Sequence, residues 1–238
     1  MKITRKIFII LFILLLIVYM YTIFHDNHKL SNINIQEVKH FGDISVDDNR
    51  LFKYIKNNQL EKVEYLINHG ADTSFTDKVG RNSAYIAALY NNDINMFFIL
   101  EKSNVNMEQP DINGYTPLMI AILAHAKIEV IEYLIHRSNV NHTTKSNISI
   151  LMLAVNSTSN VDVIKLLIQN GASINYRLED GSSILYMALQ FSKSEDIIIY
   201  LLSLYTKDTL SAYSKQITKA VRNNMYIKNK QKILNYLD

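Results

Sequence analysis

The sequence predicts an all-α solenoid: about five stacked helix-turn-helix repeats with capping helices, preceded by an N-terminal transmembrane or signal-anchor helix. Three observations carry this. The frame Asp111-Ile112-Asn113-Gly114-Tyr115-Thr116-Pro117-Leu118-Met119-Ile120-Ala121 reads as a tight turn running into a capped helix start, and related frames follow Asp77, Ser146 and Asp180. Their alanines, at 87, 121, 154 and 188, recur at steps of 34, 33 and 34 residues. Between the frames, apolar residues three and four apart give each segment one buried helical face. Ahead of them, Ile7 to Phe24 is apolar apart from Thr22.

Each part of the frame has a physical reason. Gly80, Gly114 and Gly181 allow the positive backbone angle of a turn tip, and Asn147 is the usual substitute. Thr116, Ser149 and Ser183 can each accept from an exposed amide and cap the first helix, while Pro117 fits the first helical position, where no donor is needed. The recurring alanines let neighbouring helices approach closely.

Taken in order, residues 1–6 carry Lys2, Arg5 and Lys6 ahead of the apolar run. Residues 7–24 would reach about 27 Å as a helix, just enough for a hydrocarbon core of ~30 Å. A cleaved signal and an uncleaved anchor compete here. The run ends Val18-Tyr19-Met20-Tyr21-Thr22-Ile23-Phe24 without a small-residue cleavage triplet, which favours the anchor. The basic flank keeps the N-terminus cytoplasmic and sends the rest across, into the periplasm of a Gram-negative cell, the outside of a Gram-positive one or the lumenal side in a eukaryote; cleavage would make the product secreted. Residues 25–48 are polar without a sustained period and read as a tether.

From 49 to 209 the chain reads as repeats. The first has no turn frame and pairs Leu51–Lys56 with Leu60–Ile67 before Gly70, placed as a left-handed helix stop. Repeats two to five follow the four frames. In repeats three to five the turn between helices, such as Ala124-His125-Ala126-Lys127, is expected to be one residue longer than usual. Residues 210–238 lack the turn frame but carry Ile217, Ala220, Val221, Ile227, Ile233 and Leu234, which fit two capping helices over the last apolar face.

The Gly-Tyr-Thr-Pro-Leu-Met-Ile-Ala run at 114–121 and its copies resemble the core of an ankyrin repeat, and the resemblance covers 49 to 207 with caps beyond. It implies a protein-binding array rather than a particular chemistry. The implied contacts are the turn tips Lys78-Val79, Ile112-Asn113, Lys145-Ser146 and Glu179-Asp180. To these are added the concave-groove positions Leu89, Tyr90, Leu123, Ala124, Asn156, Ser157, Gln190 and Phe191. Tyr85 and Tyr186 stand where the family has the histidine of its Thr-Pro-Leu-His run, as do Met119 and Met152, and are expected to pack between repeats.

Composition narrows the classes further. A formal charge of +3, with basic residues spread along the chain, gives no case for a nucleic-acid partner. The absence of cysteine excludes disulfides, thiolate metal sites and thiol nucleophiles. The histidines at 25, 28, 40, 69, 125, 136 and 142 do not form a ligand set by spacing, and no nucleophile-base order or phosphate loop stands out. The expectation is a membrane-tethered protein-binding module, not an enzyme, with no cofactor, metal or small-molecule substrate. It would serve a bacterial envelope as an antagonist, immunity protein or escort for an exported protein. A structural or stress-support factor and a host-directed effector are the alternatives.

Overall fold

The structure, a computed structural model, describes residues 50–236. Among them the regular elements are helices, with two isolated bridges, Thr143 to Ser149 and Arg177 to Ser183. Repeat one is α1 (Arg50–Lys56) and α2 (Leu60–Asn68); repeat two is α3 (Ser83–Tyr90) and α4 (Ile94–Lys102). Repeat three is α5 (Pro117–Leu123) and α6 (Ile128–Ile135), repeat four α7 (Ile150–Ser157) and α8 (Val161–Gln169), and repeat five α9 (Ile184–Phe191) and α10 (Glu195–Ser203). Three helices follow: α11 (Lys207–Ala212), α12 (Ser214–Asn223) and α13 (Lys230–Leu234).

The local chemistry explains where each first helix begins. Side-chain oxygens of Asn82, Thr116, Ser149 and Ser183 accept from the amides of Tyr85, Met119, Met152 and Tyr186, and Pro117 takes the first helical position. Each such cap is worth about 1 kcal/mol. At the turn tips Gly80, Gly114, Asn147 and Gly181 all hold positive φ. The second helices of repeats one, two and four end through the same device. Gly70, Asn104 and Gly171 have positive φ, and the residue after each donates back to Leu66, Leu100 and Leu167.

The helices form two rows. First helices pack in the order α1, α3, α5, α7, α9 and α12, and second helices in the order α2, α4, α6, α8, α10 and α13. The first row supplies most of the core: Ala84 to Leu89, Leu118 to Leu123 and Ile150 to Val155 are all buried. Second helices bury one face each, for example Met96, Phe97 and Leu100 on α4 and Val163, Ile164 and Leu167 on α8. At roughly 1.5–3 kcal/mol for each large side chain, this burial dominates the favourable side of folding. In repeat one, the first of the described repeats, Lys53 stands exposed in the alanine column, 34 residues before the buried Ala87.

Two expectations need amending. From the recurring alanine to the first residue of the second helix is seven positions in repeats two, three, four and five alike, as in Ala87 to Ile94 and Ala121 to Ile128. The longer turn is therefore not confined to repeats three to five, and it leaves the packing register unchanged. The C-terminal cap is also more than two loose helices. Its members α12 and α13 extend both rows as a sixth pair, and α11 stands where a turn frame would lie. Ala220 fills the alanine column 32 residues after Ala188, and Asn224 repeats the role of Asn91. Asn91 donates to the carbonyl of Ile55 at 2.6 Å, whereas Asn224 donates to those of Leu189 and Ser192, both at 3.1 Å.

No helix among the described residues is long and apolar enough to cross a membrane. The expected basic region 1–6, anchor 7–24 and tether 25–48 lie outside them, as do His25, His28 and His40.

Candidate functional site

Successive turn tips are tied edge to edge. The amide of Ile112 donates to the carbonyl of Val79 and the amide of Lys145 to that of Asn113, both at 2.9 Å. Asn147 and Glu179 continue the contact through side chains, Nδ2 to Oε1 at 3.0 Å. The backbone is thereby occupied by the ladder, and the side chains of Lys78, Ile112, Lys145, Ser146, Glu179 and Asp180 face solvent. Ile112, an isoleucine 49% exposed, is the apolar member of this row.

The side-chain bonds that close the turns are more numerous toward the N-terminal end. In repeats two and three a carboxylate oxygen closes the turn: Asp77 Oδ1 accepts from Val79 and Arg81, and Asp111 Oδ1 from Asn113 and Tyr115, at 2.8–3.0 Å. Thr144 holds the same place in repeat four and accepts from one amide, that of Ile148. In repeat five the place is taken by Leu178, whose side chain has no acceptor to offer; Asp180, two positions on, accepts from Ser182 alone. Asp77 also pairs with Arg81 at 2.7 Å, with the arginine side chain only 3% exposed.

The groove positions divide in two. Leu89 and Leu123 are buried, because α3 and α5 are apolar on every side and lie inside the row of first helices, so neither presents a surface. Tyr90, Ala124, Asn156, Ser157, Gln190 and Phe191 are half-buried. The ammonium of Lys56 sits 4.7 Å from the centre of the Tyr90 ring. Ser157 donates back to the carbonyl of Leu153, and Gln190 donates to the hydroxyl of Tyr186 at 2.9 Å.

The tyrosines expected to pack between repeats behave differently from one another. Tyr85 is buried and donates to Asp111 at 3.2 Å, and burial followed by the Asp111 charge raises its pKa. Tyr186 is 38% exposed and opens onto a cleft of about 300 Å³ between repeat five and the cap. Tyr205 and Tyr213 line the same cleft with Arg177, over a floor that includes Leu189 and Ile217. Burial pushes the Tyr205 phenol up, and the nearby Arg177 opposes that rise. The repeat pattern does not reveal this cleft, because Tyr205 lies at the very end of the last repeat and Tyr213 beyond it; the cluster of tyrosines at 186, 205 and 213 is the signal the sequence offers.

On the outer face of the second row, Arg137 grips Glu101 with Nη2 3.0 Å from Oε2, and its guanidinium lies over the Tyr133 ring at 3.6 Å. Arg137, and then Tyr133, hold the Glu101 carboxyl below the usual carboxylate range. This cluster joins repeats two and three. Among the described residues no three His, Asp or Glu side chains converge as metal ligands. His142 instead contacts the carbonyl of Gly114 and His69 that of Tyr65.

Two rows of capped helices, joined by turns with glycine or asparagine at the tip, define a repeat-solenoid interaction scaffold. The chain belongs to the ankyrin-repeat family: the family's model of ankyrin repeats, in three copies, matches residues 51–146 and 123–211. Among curated relatives it is similar to a Danio rerio protein named as a palmitoyltransferase, ZDHHC13, at 28% identity over 161 residues, which is 67% of this chain and 24% of that protein. It is similar also to the ankyrin repeat protein FPV031 of Fowlpox virus, at 27% identity over 51% of this chain and 36% of the relative. A third relative is the palmitoyltransferase AKR1 of Lachancea kluyveri, 27% identical over 57% of this chain and 19% of that enzyme. The chain spans less than two-fifths of the length of each of these relatives.

Proposed function

We propose that this chain is a non-catalytic, membrane-tethered module that binds another protein through its row of turn tips. The observation that carries this is the ladder itself. Backbone bonds from Ile112 to Val79 and from Lys145 to Asn113 fix three tips in one register and leave Lys78, Ile112 and Lys145 as side-chain contacts on a backbone already ordered. Preorganised contacts of this kind lose little conformational entropy on association. Tyr90 and Phe191 extend the candidate surface into the groove.

The tether is read from sequence: Lys2, Arg5 and Lys6 before the apolar run 7–24 place the repeats on the extracytoplasmic side, where the module antagonises or escorts an exported protein. Two relatives are named as palmitoyltransferases, and the segments they share with this chain amount to a quarter or less of their length. Acyl transfer through a thioester on these 238 residues is excluded, since they contain no cysteine.

The test is capture of partners from the chain's own cells by the full-length protein, comparing wild type with Ile112→Asp/Lys145→Glu and with Tyr90→Ala/Phe191→Ala. One protein lost with the tip variant supports the reading. Equal capture by the tip variant and wild type, or capture of background alone, rejects it. A reporter fused after Asp238 checks the orientation: activity on the cytosolic side reverses the proposed topology and favours an effector acting there.

A further inference from the structure

The cleft between repeat five and the cap meets the turn-tip row at Gly181 alone and has a chemistry of its own. Its floor is aliphatic, with Leu185, Leu189 and Ile217 from α9 and α12. Its rim is aromatic. Tyr213 is 54% exposed and Tyr186 38% exposed, so two phenol rings stand at the opening with Tyr205 deeper between them. Tyrosine rings at a partly wet opening are effective anchors, because each offers a large rigid face and a hydroxyl while freezing only two torsions.

The charged side chain lining the cleft is basic, with the Asp180 carboxylate close enough to Tyr186 to act on its phenol. Arg177 is the one Lys or Arg lining the cleft, and no Asp or Glu lines it. The guanidinium makes a single hydrogen bond, Nη1 to the carbonyl of Gly181 at 3.1 Å, and no ion pair is formed by it among the described residues. The cap as a whole, residues 207–236, carries seven Lys or Arg against one aspartate, Asp208. An arginine with free donors beside an apolar floor matches a carboxylate held close to an apolar group. A volume of about 300 Å³ is at the small end for ligand pockets and suits one aromatic ring or a short aliphatic chain.

We infer that this cleft binds an apolar carboxylate: a single bulky apolar group seated on Leu189 and Ile217 between Tyr186 and Tyr213, with its carboxylate on Arg177. Two sources share this chemistry, a peptide chain end with an apolar last residue and a free aliphatic acid. Ile112 and Lys145, the tips changed in the capture test, do not line the cleft, so that test can succeed or fail without bearing on it.

The probe is a short Gly/Ser peptide ending in 4-fluorophenylalanine, followed by ¹⁹F NMR against the full chain in lipid nanodiscs. The free-acid peptide is expected to shift and broaden on addition of protein, and the same peptide with an amidated end to bind at least tenfold more weakly. Arg177→Gln should erase the difference between acid and amide, and Tyr213→Ala should weaken both, with the melting temperature of each variant close to wild type. Octanoate identifies the source: displacement of the peptide assigns free aliphatic acids, and failure to displace it assigns a peptide end. Equal binding of acid and amide by wild type, no response to either, or an unchanged preference in a folded Arg177→Gln would each overturn the inference. The acid-amide comparison needs no variant, so it stands even if a substitution unfolds the protein.

Discussion

Repeats two and three and the pair formed by repeat five and the cap share a fold but not a finish. In the former, carboxylates close the turns with two bonds each, Arg81 is buried against Asp77, and Gly114 lies so close to the next turn that an added Cβ would meet the Lys145 nitrogen at 2.9 Å. In the latter, Leu178 replaces the turn carboxylate, a Cβ added at Gly181 would meet nothing within 4 Å, and tyrosines stand open around a cleft. The difference shows how a one-dimensional stack divides labour. Contacts run only between neighbours, so one end can be closed as a scaffold while the other stays open to a ligand.

The comparison is broken most severely by Asp77→Ala. It would leave the Arg81 charge buried without its partner and two turn amides unpaired, with an expected cost of about 3–5 kcal/mol. Thermal unfolding followed by circular dichroism should show a large fall, whereas Asp180→Ala in repeat five should barely move the transition. Equal shifts for the two would mean that the turns of the two regions are equivalent.

Next in size is Asn224→Ala. Asn224 is 1% exposed, donates to Leu189 and Ser192, and accepts from Tyr226 and Ile227. Removing it strands buried carbonyls at a cost of about 1–3 kcal/mol. Hydrogen exchange should accelerate in α12 and α13 while α3 and α5 stay protected; acceleration spread over the whole stack would show that the cap is not a separate unit.

The smallest contrast is between two glycines of similar φ. Alanine at Gly181 (φ +82°) carries the left-handed backbone cost alone, about 1–2 kcal/mol. Alanine at Gly114 (φ +86°) adds a backbone clash with Thr144 and Lys145, and should melt lower than the Gly181 variant. Equal melting temperatures would contradict the close approach of the third and fourth turns.

Much of the fold is legible in the sequence because its signals are local. Thr116 and Pro117 mark a helix start, Gly70 and Gly114 mark positive φ, and the alanine spacing counts the repeats, all without tertiary knowledge. The sixth pair is hidden because its alanine arrives after 32 residues and α11 replaces the turn frame. Asn104 is harder to foresee as a left-handed stop because glycine is the usual residue there, although asparagine serves the same purpose at 147. The candidate site is legible as a row of turn tips. Whether a position is exposed depends on what packs beside it, which is why the groove candidates Leu89 and Leu123 prove buried and Tyr186, expected to pack between repeats, proves open.

The most direct test of the turn-tip surface is photocrosslinking in the chain's own cells, with p-benzoylphenylalanine placed at Ile112 in one sample and at Glu132, exposed on α6, in another. The account predicts one discrete protein adduct from position 112 and none from 132. An adduct from 132 alone, or none from either, would contradict it.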